Sequence, residues 1–238
     1  MSMSDTFHLK IAEFLITQIN NGTYACGDRL PSENELCAQF QTNHHVVRLA
    51  ISRLINMGWV ATYQGKGSFV KSRPEAFPYS LSAKTGFSSN LKGRPLAHRG
   101  QLMQWEKRHP MPHEARYLDL EMHEYVYDLR IKRFINEQPM SLSTTVIRAH
   151  DVPDLPDFLA DFQSLYKILS EHYQIRPIRT KSIVQAIMPT LKDTDLLHLP
   201  ENVPLVKIES FARHPSGHPF EYNVSKIRSD MCRYVIDF

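Results

Sequence analysis

The feature that most restricts the fold is the spacing of helix signals between residues 6 and 58, where three short amphipathic segments follow one another with little chain between them. The first, residues 6–21, carries Ile11, Phe14, Leu15 and Ile19 on one face, and Gly22 can take the left-handed conformation that ends it. The second opens on Pro31-Ser32-Glu33-Asn34-Glu35, where Ser32 and Glu35 have capping-box spacing, and ends near Phe40. Only Gln41 and Thr42 precede the third, which Asn43 caps. It places Val47, Ala50, Ile51 and Leu54 at i, i+3, i+4 and i+7 and stops at Gly58. Strand-like runs at 59–63 and 68–70 then flank Gln64-Gly65-Lys66-Gly67, a hairpin with a glycine tip. Helix, helix, two-residue turn, helix, hairpin predicts a winged helix-turn-helix over residues 1–73.

The pattern changes beyond this point. Residues 74–94 hold Pro74, Pro78 and a run of small polar residues, and are expected to form a linker. From Pro95 to the C-terminus the chain alternates strands with short helices. Strands are expected at 96–106, 125–135, 139–147, 179–188, 205–213 and 220–227, and helices at 112–118, 164–173 and 192–199. Turn residues at 136–138 and 214–218 mark hairpins. One antiparallel sheet with helices on a face makes residues 95–238 an α+β domain.

Composition removes several classes of function. The 238 residues are 42% hydrophobic and 22% charged, and no apolar run approaches the roughly 18 residues of a membrane span. Met1-Ser2-Met3-Ser4-Asp5 lacks the basic and apolar regions of a secretory signal, so a cytoplasmic protein is expected. Cys26, Cys37 and Cys232 are odd in number and widely spaced, and read as reduced thiols. His109 with His113, and His214 with His218, have i, i+4 spacing, but Pro110, Pro112 and Pro215 break the helices a zinc face would need. There is no Gly-x-Ser-x-Gly, P-loop or His-Glu-x-x-His, so neither enzyme chemistry nor a metal or cofactor is expected.

The net charge of +3 is too small to identify a nucleic-acid partner, so arrangement must decide. The outer face of the third helix presents His44, His45, Arg48 and Ser52. Such a stripe suits the major groove, where arginine reads guanine O6 and N7 with both arms of its fork. Gly65 and Gly67 allow close backbone approach to a minor groove, with Lys66 beside phosphates. Arg29 and the amides at the start of the second helix, capped by Ser32, are placed to hold a phosphate. Taken singly, each residue reads equally well as a solvated surface group, a cap or a turn.

Together they resemble a family. Gly27-Asp28-Arg29-Leu30-Pro31-Ser32-Glu33, Val47-Arg48, Gly58-Trp59-Val60 and Gln64-Gly65-x-Gly67-Ser68-Phe69-Val70 resemble the GntR family of bacterial transcription regulators over residues 7–71. The resemblance implies DNA contacts from Arg29, Asn34, His44, His45 and Arg48, with Gly65 and Gly67 in the minor groove. The chain departs from the family at Asn43-His44, where Ser-Arg is usual, and at Val46, where Thr is expected. A permanent cation is thereby replaced by an imidazole, a group that titrates near neutrality.

The closing run Glu221-Tyr222-Asn223-Val224-Ser225-Lys226-Ile227-Arg228-Ser229-Asp230 resembles the UTRA effector domain of HutC-type members, a chorismate-lyase-like fold that pairs into dimers and senses small molecules. Phe87-Ser88-Ser89-Asn90-Leu91 and Leu129-Arg130-x-x-Arg133 are similar to phosphonate-utilisation repressors of that branch. Sugar-phosphate readers often carry a carboxylate at the position of Ser143, so a sugar effector is disfavoured. The resulting effector candidates are Ser88, Ser89, Asn90, Arg130, Arg133, Thr144, Glu221, Tyr222 and Arg228. Strand alternation should send Arg130 and Arg133 to opposite faces unless a bulge intervenes. A structural ion pair of Arg228 with Asp230 or Glu221 is the competing reading. The expectation is a homodimeric repressor on a pseudo-palindromic operator of double-stranded DNA, released by a small anion such as a phosphonate or phosphate ester. The alternative is a DNA-binding protein whose C-terminal half serves only dimerisation or protein interaction, and retained lyase catalysis would be a third possibility.

Overall fold

The computed structural model describes residues 6–72, 76–83, 86–91, 93–200 and 202–236. Contacts divide the chain into two compact units: Met1–Glu75 with Pro189–Thr194 and Leu199–Val203, and Ala76–Met188 with Asp195–His198 and Pro204–Phe238.

In the first unit, α1 (Phe7–Asn20), α2 (Glu33–Phe40) and α3 (His44–Asn56) precede the hairpin of β1 (Val60–Tyr63) and β2 (Gly67–Val70). The expected caps form: Ser32 Oγ accepts from the Glu35 amide while Glu35 Oε2 accepts from the Ser32 amide, and Asn43 Oδ1 accepts from the Val46 amide. Gln41, left-handed at φ 49°, makes the short turn between α2 and α3. Ile11, Leu15, Leu36, Val47, Ala50, Leu54, Trp59 and Val60 close one core, with Phe14 and Ile19 packed at its edge. Truncating a fully buried leucine such as Leu36 or Leu54 to alanine would cost about 2–5 kcal/mol.

The second unit is built on six antiparallel strands in the order β4 (His98–Arg108), β5 (Val126–Ile135), β6 (Gln138–Arg148), β9 (Pro219–Arg228), β8 (Leu205–Arg213) and β7 (Ile178–Ile187). Asn136 and Glu137, at φ 47° and 60°, turn β5 into β6, as a two-residue loop of primed type requires. α6 (Leu165–His172) helps cover one sheet face over Leu129, Ile131 and Ile147. α5 (Pro112–Leu118) covers part of the other over Val126, Val146 and Tyr222. The remaining expected helix forms as α7 (Leu191–Leu197).

Within residues 74–94, expected as a linker, the described residues include regular structure. β3 (Phe77–Ser80) pairs in parallel with β10 (Cys232–Val235), and α4 (Phe87–Leu91) follows. Phe77, Phe87 and Leu91 are buried against Ile227, Met231 and Cys232. Local proline content did not forecast this pairing, because β3 is held by a strand that arrives from the far end of the chain.

Candidate nucleic-acid interface and effector cavity

Burial of Val47, Ala50, Ile51 and Leu54 leaves His44, His45, Arg48 and Ser52 exposed on α3. Ser32, Glu33, Asn34, His44 and Arg48 line one shallow depression where the start of α2 meets α3. Within it Arg48 Nε donates to Glu33 Oε2 at 2.9 Å, and His44 Nδ1 lies 3.6 Å from the same oxygen. Glu33, absent from the sequence-derived candidates, thus holds Arg48 on the recognition face and lies beside His44.

The wing is tied to the loop before α2. Gly27 N donates to Val70 O at 2.9 Å, Leu30 N to Ser68 O at 2.8 Å, and Val70 N to Asp28 O at 2.9 Å. Gly65, at φ 73°, faces open space, and Lys66 is exposed. Gly67 differs. A Cβ built there would lie 2.9 Å from Nε of Arg29, so its open side is filled by the Arg29 side chain as well as being left-handed at φ 98°.

The second unit contains a cavity of about 260 Å³ on one sheet face. Its floor comes from strand alternation. Ser141, Ser143 and Thr145 on β6 point to the same side, opposite Ile227, Ser225 and Asn223 of β9. These floor groups bond one another: Ser143 Oγ to Ser225 Oγ at 2.9 Å, Ser225 Oγ to Asn223 Oδ1 at 2.7 Å, and Asn223 Nδ2 to Thr145 Oγ1 at 2.6 Å. Glu221 lies further along β9, and its Oε2 accepts from the Tyr166 hydroxyl at 2.7 Å. Burial pushes the Glu221 carboxyl up, opposed by Tyr166 and by the charges of Arg179 and Arg133. Arg133 enters from β5 and Arg179 from β7. Burial pushes the Arg133 guanidinium below its ordinary value, and it stacks 4.9 Å from the Phe87 ring centroid. Arg179 Nη1 donates to Ser82 O at 3.0 Å. Neither guanidinium forms an ion pair among the described residues.

Of the effector candidates, Ser88, Arg133 and Glu221 line this cavity. Four others do not. Arg130 is exposed on the opposite face, since β5 runs unbulged from Arg130 to Arg133 and the register shift beside it lies in β4. Thr144 alternates away from the flanking Ser143 and Thr145. Tyr222 turns from Glu221 to the face under α5, where it stacks on Tyr117 and donates to Glu209 Oε2 at 3.2 Å. Arg228 is buried and bonds Asp230 at 2.7 and 3.1 Å, which is the competing structural reading, with further bonds to the carbonyls of Pro139 and Leu197. Asn90 is a brace: it exchanges hydrogen bonds with the Ser80 backbone and donates to Gly86 O, fixing α4 where Phe87 and Ser88 reach the cavity. The Ser89 side chain lies outside the described residues. Arg179, Tyr166, Asn223 and Ser225 were missed; alternation along β6 and β9 would have found the floor, but nothing local marks Arg179.

Among the described residues no group of three or more His, Cys, Asp or Glu is arranged to hold a metal ion, and no helix is long and apolar enough to cross a membrane.

A winged helix-turn-helix joined in one chain to a sheet unit with a cavity is the architecture of a transcription regulator. Residues 8–70 match the gntR family of bacterial regulatory proteins and residues 93–233 match the UTRA domain. The chain belongs to the GntR family, with the HutC-type UTRA architecture, a family of transcription regulators and not of enzymes. It is 32% identical over 217 residues to the probable transcriptional regulator PhnF of Escherichia coli (strain K12), covering 90% of this chain and 88% of that one. It is 27% identical over 229 residues to the transcriptional repressor NagR of Bacillus subtilis (strain 168), covering 96% and 93%. The crystal structure of PhnF from Mycobacterium smegmatis shares the fold at a TM-score of 0.63 and 20% identity, covering 97% of this chain and 98% of that one. GntR regulators bind DNA operators and UTRA domains bind small-molecule effectors.

Proposed function

We propose that this chain is a homodimeric repressor that grips a pseudo-palindromic operator through α3 and the wing and is released when a small anion enters the cavity. The observation that carries the reading is the pair Arg133 and Arg179, two guanidinium groups that line one cavity with a single carboxylate, Glu221, and form no ion pair among the described residues. Guanidinium forks bind phosphonate, phosphate ester or carboxylate through paired charge-assisted hydrogen bonds. The hydroxyl floor adds neutral donors and acceptors. At about 260 Å³ the cavity lies just below the usual range for ligand sites, roughly 300–1,000 Å³, which favours a compact ligand. In the DNA-binding unit, Arg48 reads a base while Arg29, Lys66 and the α2 amides set position on the backbone.

Release requires that the anion bind the DNA-free state more tightly than the DNA-bound state. Titrating operator-bound protein with phosphonates, phosphate esters and carboxylates tests the reading. One class should lower operator affinity and raise the melting temperature of the free protein. If no anion does either, the effector assignment is wrong.

A further inference from the structure

Resting on the reading of the cavity as an anion site, we infer that its ligand is a zwitterion, with an acidic head on Arg133 and Arg179 and an ammonium or similar cationic donor on Glu221. The charges of the lining divide unequally: two guanidinium groups against one carboxylate. A simple anion would answer the arginines and leave Glu221 behind. That carboxylate is only 6% exposed, and its sole hydrogen bond among the described residues is from Tyr166 to Oε2. Oε1 therefore remains an acceptor without a protein donor. The charges of Arg133 and Arg179 offset part of the cost of burying this carboxylate; an anion that engages both arginines takes up that support and places a second negative group in the same cavity, which raises the cost. A dianionic head carrying a short aminoalkyl tail balances the lining completely: two negative charges against two arginines, one positive charge against one glutamate. Burial raises the Glu221 carboxyl from its ordinary value, and a cation placed beside it acts in the opposite direction, favouring the ionised form. Tyr166 fixes the carboxylate plane, and the small volume limits the tail to a few carbons.

The test compares matched pairs on the full-length protein by calorimetry: 2-aminoethylphosphonate against ethylphosphonate, and 3-aminopropylphosphonate against propylphosphonate. The amino member of at least one pair should bind tenfold or more tighter. Glu221→Gln should bring the two members of that pair to within about twofold while the plain phosphonate binds at least as well as before. That last result also shows the variant folded. Equal binding of amino and plain phosphonates to the native protein would overturn the zwitterion inference and leave the anion reading intact. Failure of every phosphonate to bind would overturn both for this chemical class.

Discussion

Glu33 Oε2 accepts the Nε–H of Arg48 at 2.9 Å, joining the first turn of α2 to the exposed face of α3. Both side chains are well exposed, so the pair adds little to stability. Its effect is on where the guanidinium points. Arg48→Ala is expected to weaken binding to the cognate operator by about 1–3 kcal/mol and to relax discrimination at one base pair. Titration against cognate and scrambled duplexes measures both. Glu33→Gln should leave the melting temperature within a degree or two and reduce discrimination while non-specific affinity is kept or raised, because a negative charge near phosphate has been removed.

Gly65 and Gly67 separate two functions of the wing. Alanine at either position pays the left-handed backbone penalty of about 1–2 kcal/mol. Only at Gly67 does the new methyl also meet Arg29, at 2.9 Å. Gly67→Ala should therefore lower operator affinity in addition to stability, and the affinity loss should shrink in an Arg29→Ala background. A double-mutant cycle read by melting and by DNA titration checks this.

Arg108 binds Glu114 at 2.6 and 2.8 Å and Asp128 at 2.7 and 3.2 Å, and both acids are almost fully buried. Removing the guanidinium strands two buried carboxylates, so Arg108→Met should cost about 3–5 kcal/mol in denaturant unfolding of the second unit. Burial pushes the Glu114 carboxyl up, but hydrogen bonds from Arg108 and the Met111 amide outweigh it and hold the group below the ordinary carboxylate value. Its contribution is present above the unfolded-state pKa and is lost as pH falls through the lower folded value. Unfolding midpoints should drop in that acidic window, and Glu114→Gln should flatten the drop.

Arg133→Ala and Arg179→Ala are expected to reduce the affinity of an anionic effector at least tenfold each, read as loss of ligand-dependent thermal stabilisation. Arg130→Ala, on the opposite face, should leave that stabilisation unchanged.

The DNA-binding unit was readable from sequence because its signals are local: caps, apolar spacing and glycine stops all act within a turn or two of the residues concerned. The six long strands were equally legible, since alternation and hairpin turns fix them. What sequence lost was register. Glu221 and Tyr222, adjacent in one motif, are sent to opposite faces by the pleat, and Thr144, the candidate on β6, faces away from the cavity that its neighbours Ser143 and Thr145 line. Arg179 was lost because the register shift between Arg179 and Lys181 interrupts the alternation that would have aligned it with the cavity. The pairing of β3 with β10 joins segments some 150 residues apart, and no short-range pattern encodes it.

The bonds along the cavity floor have a direction. Ser225 gives its proton to Asn223, so it must receive one from Ser143, while Thr145 receives from Asn223 and keeps its own proton uncommitted. The row is therefore polarised end to end: Thr145 greets an incoming ligand as a giver, Ser143 as a taker. Asparagine at position 223 sets that sense, because it alone has both an amide hydrogen and a carbonyl to distribute. Exchanging Asn223 for aspartate would turn only the Thr145 end: Thr145 would have to donate to the carboxylate, while Ser225 and Ser143 keep their direction, so the row would lose its giver and meet a ligand with acceptors alone.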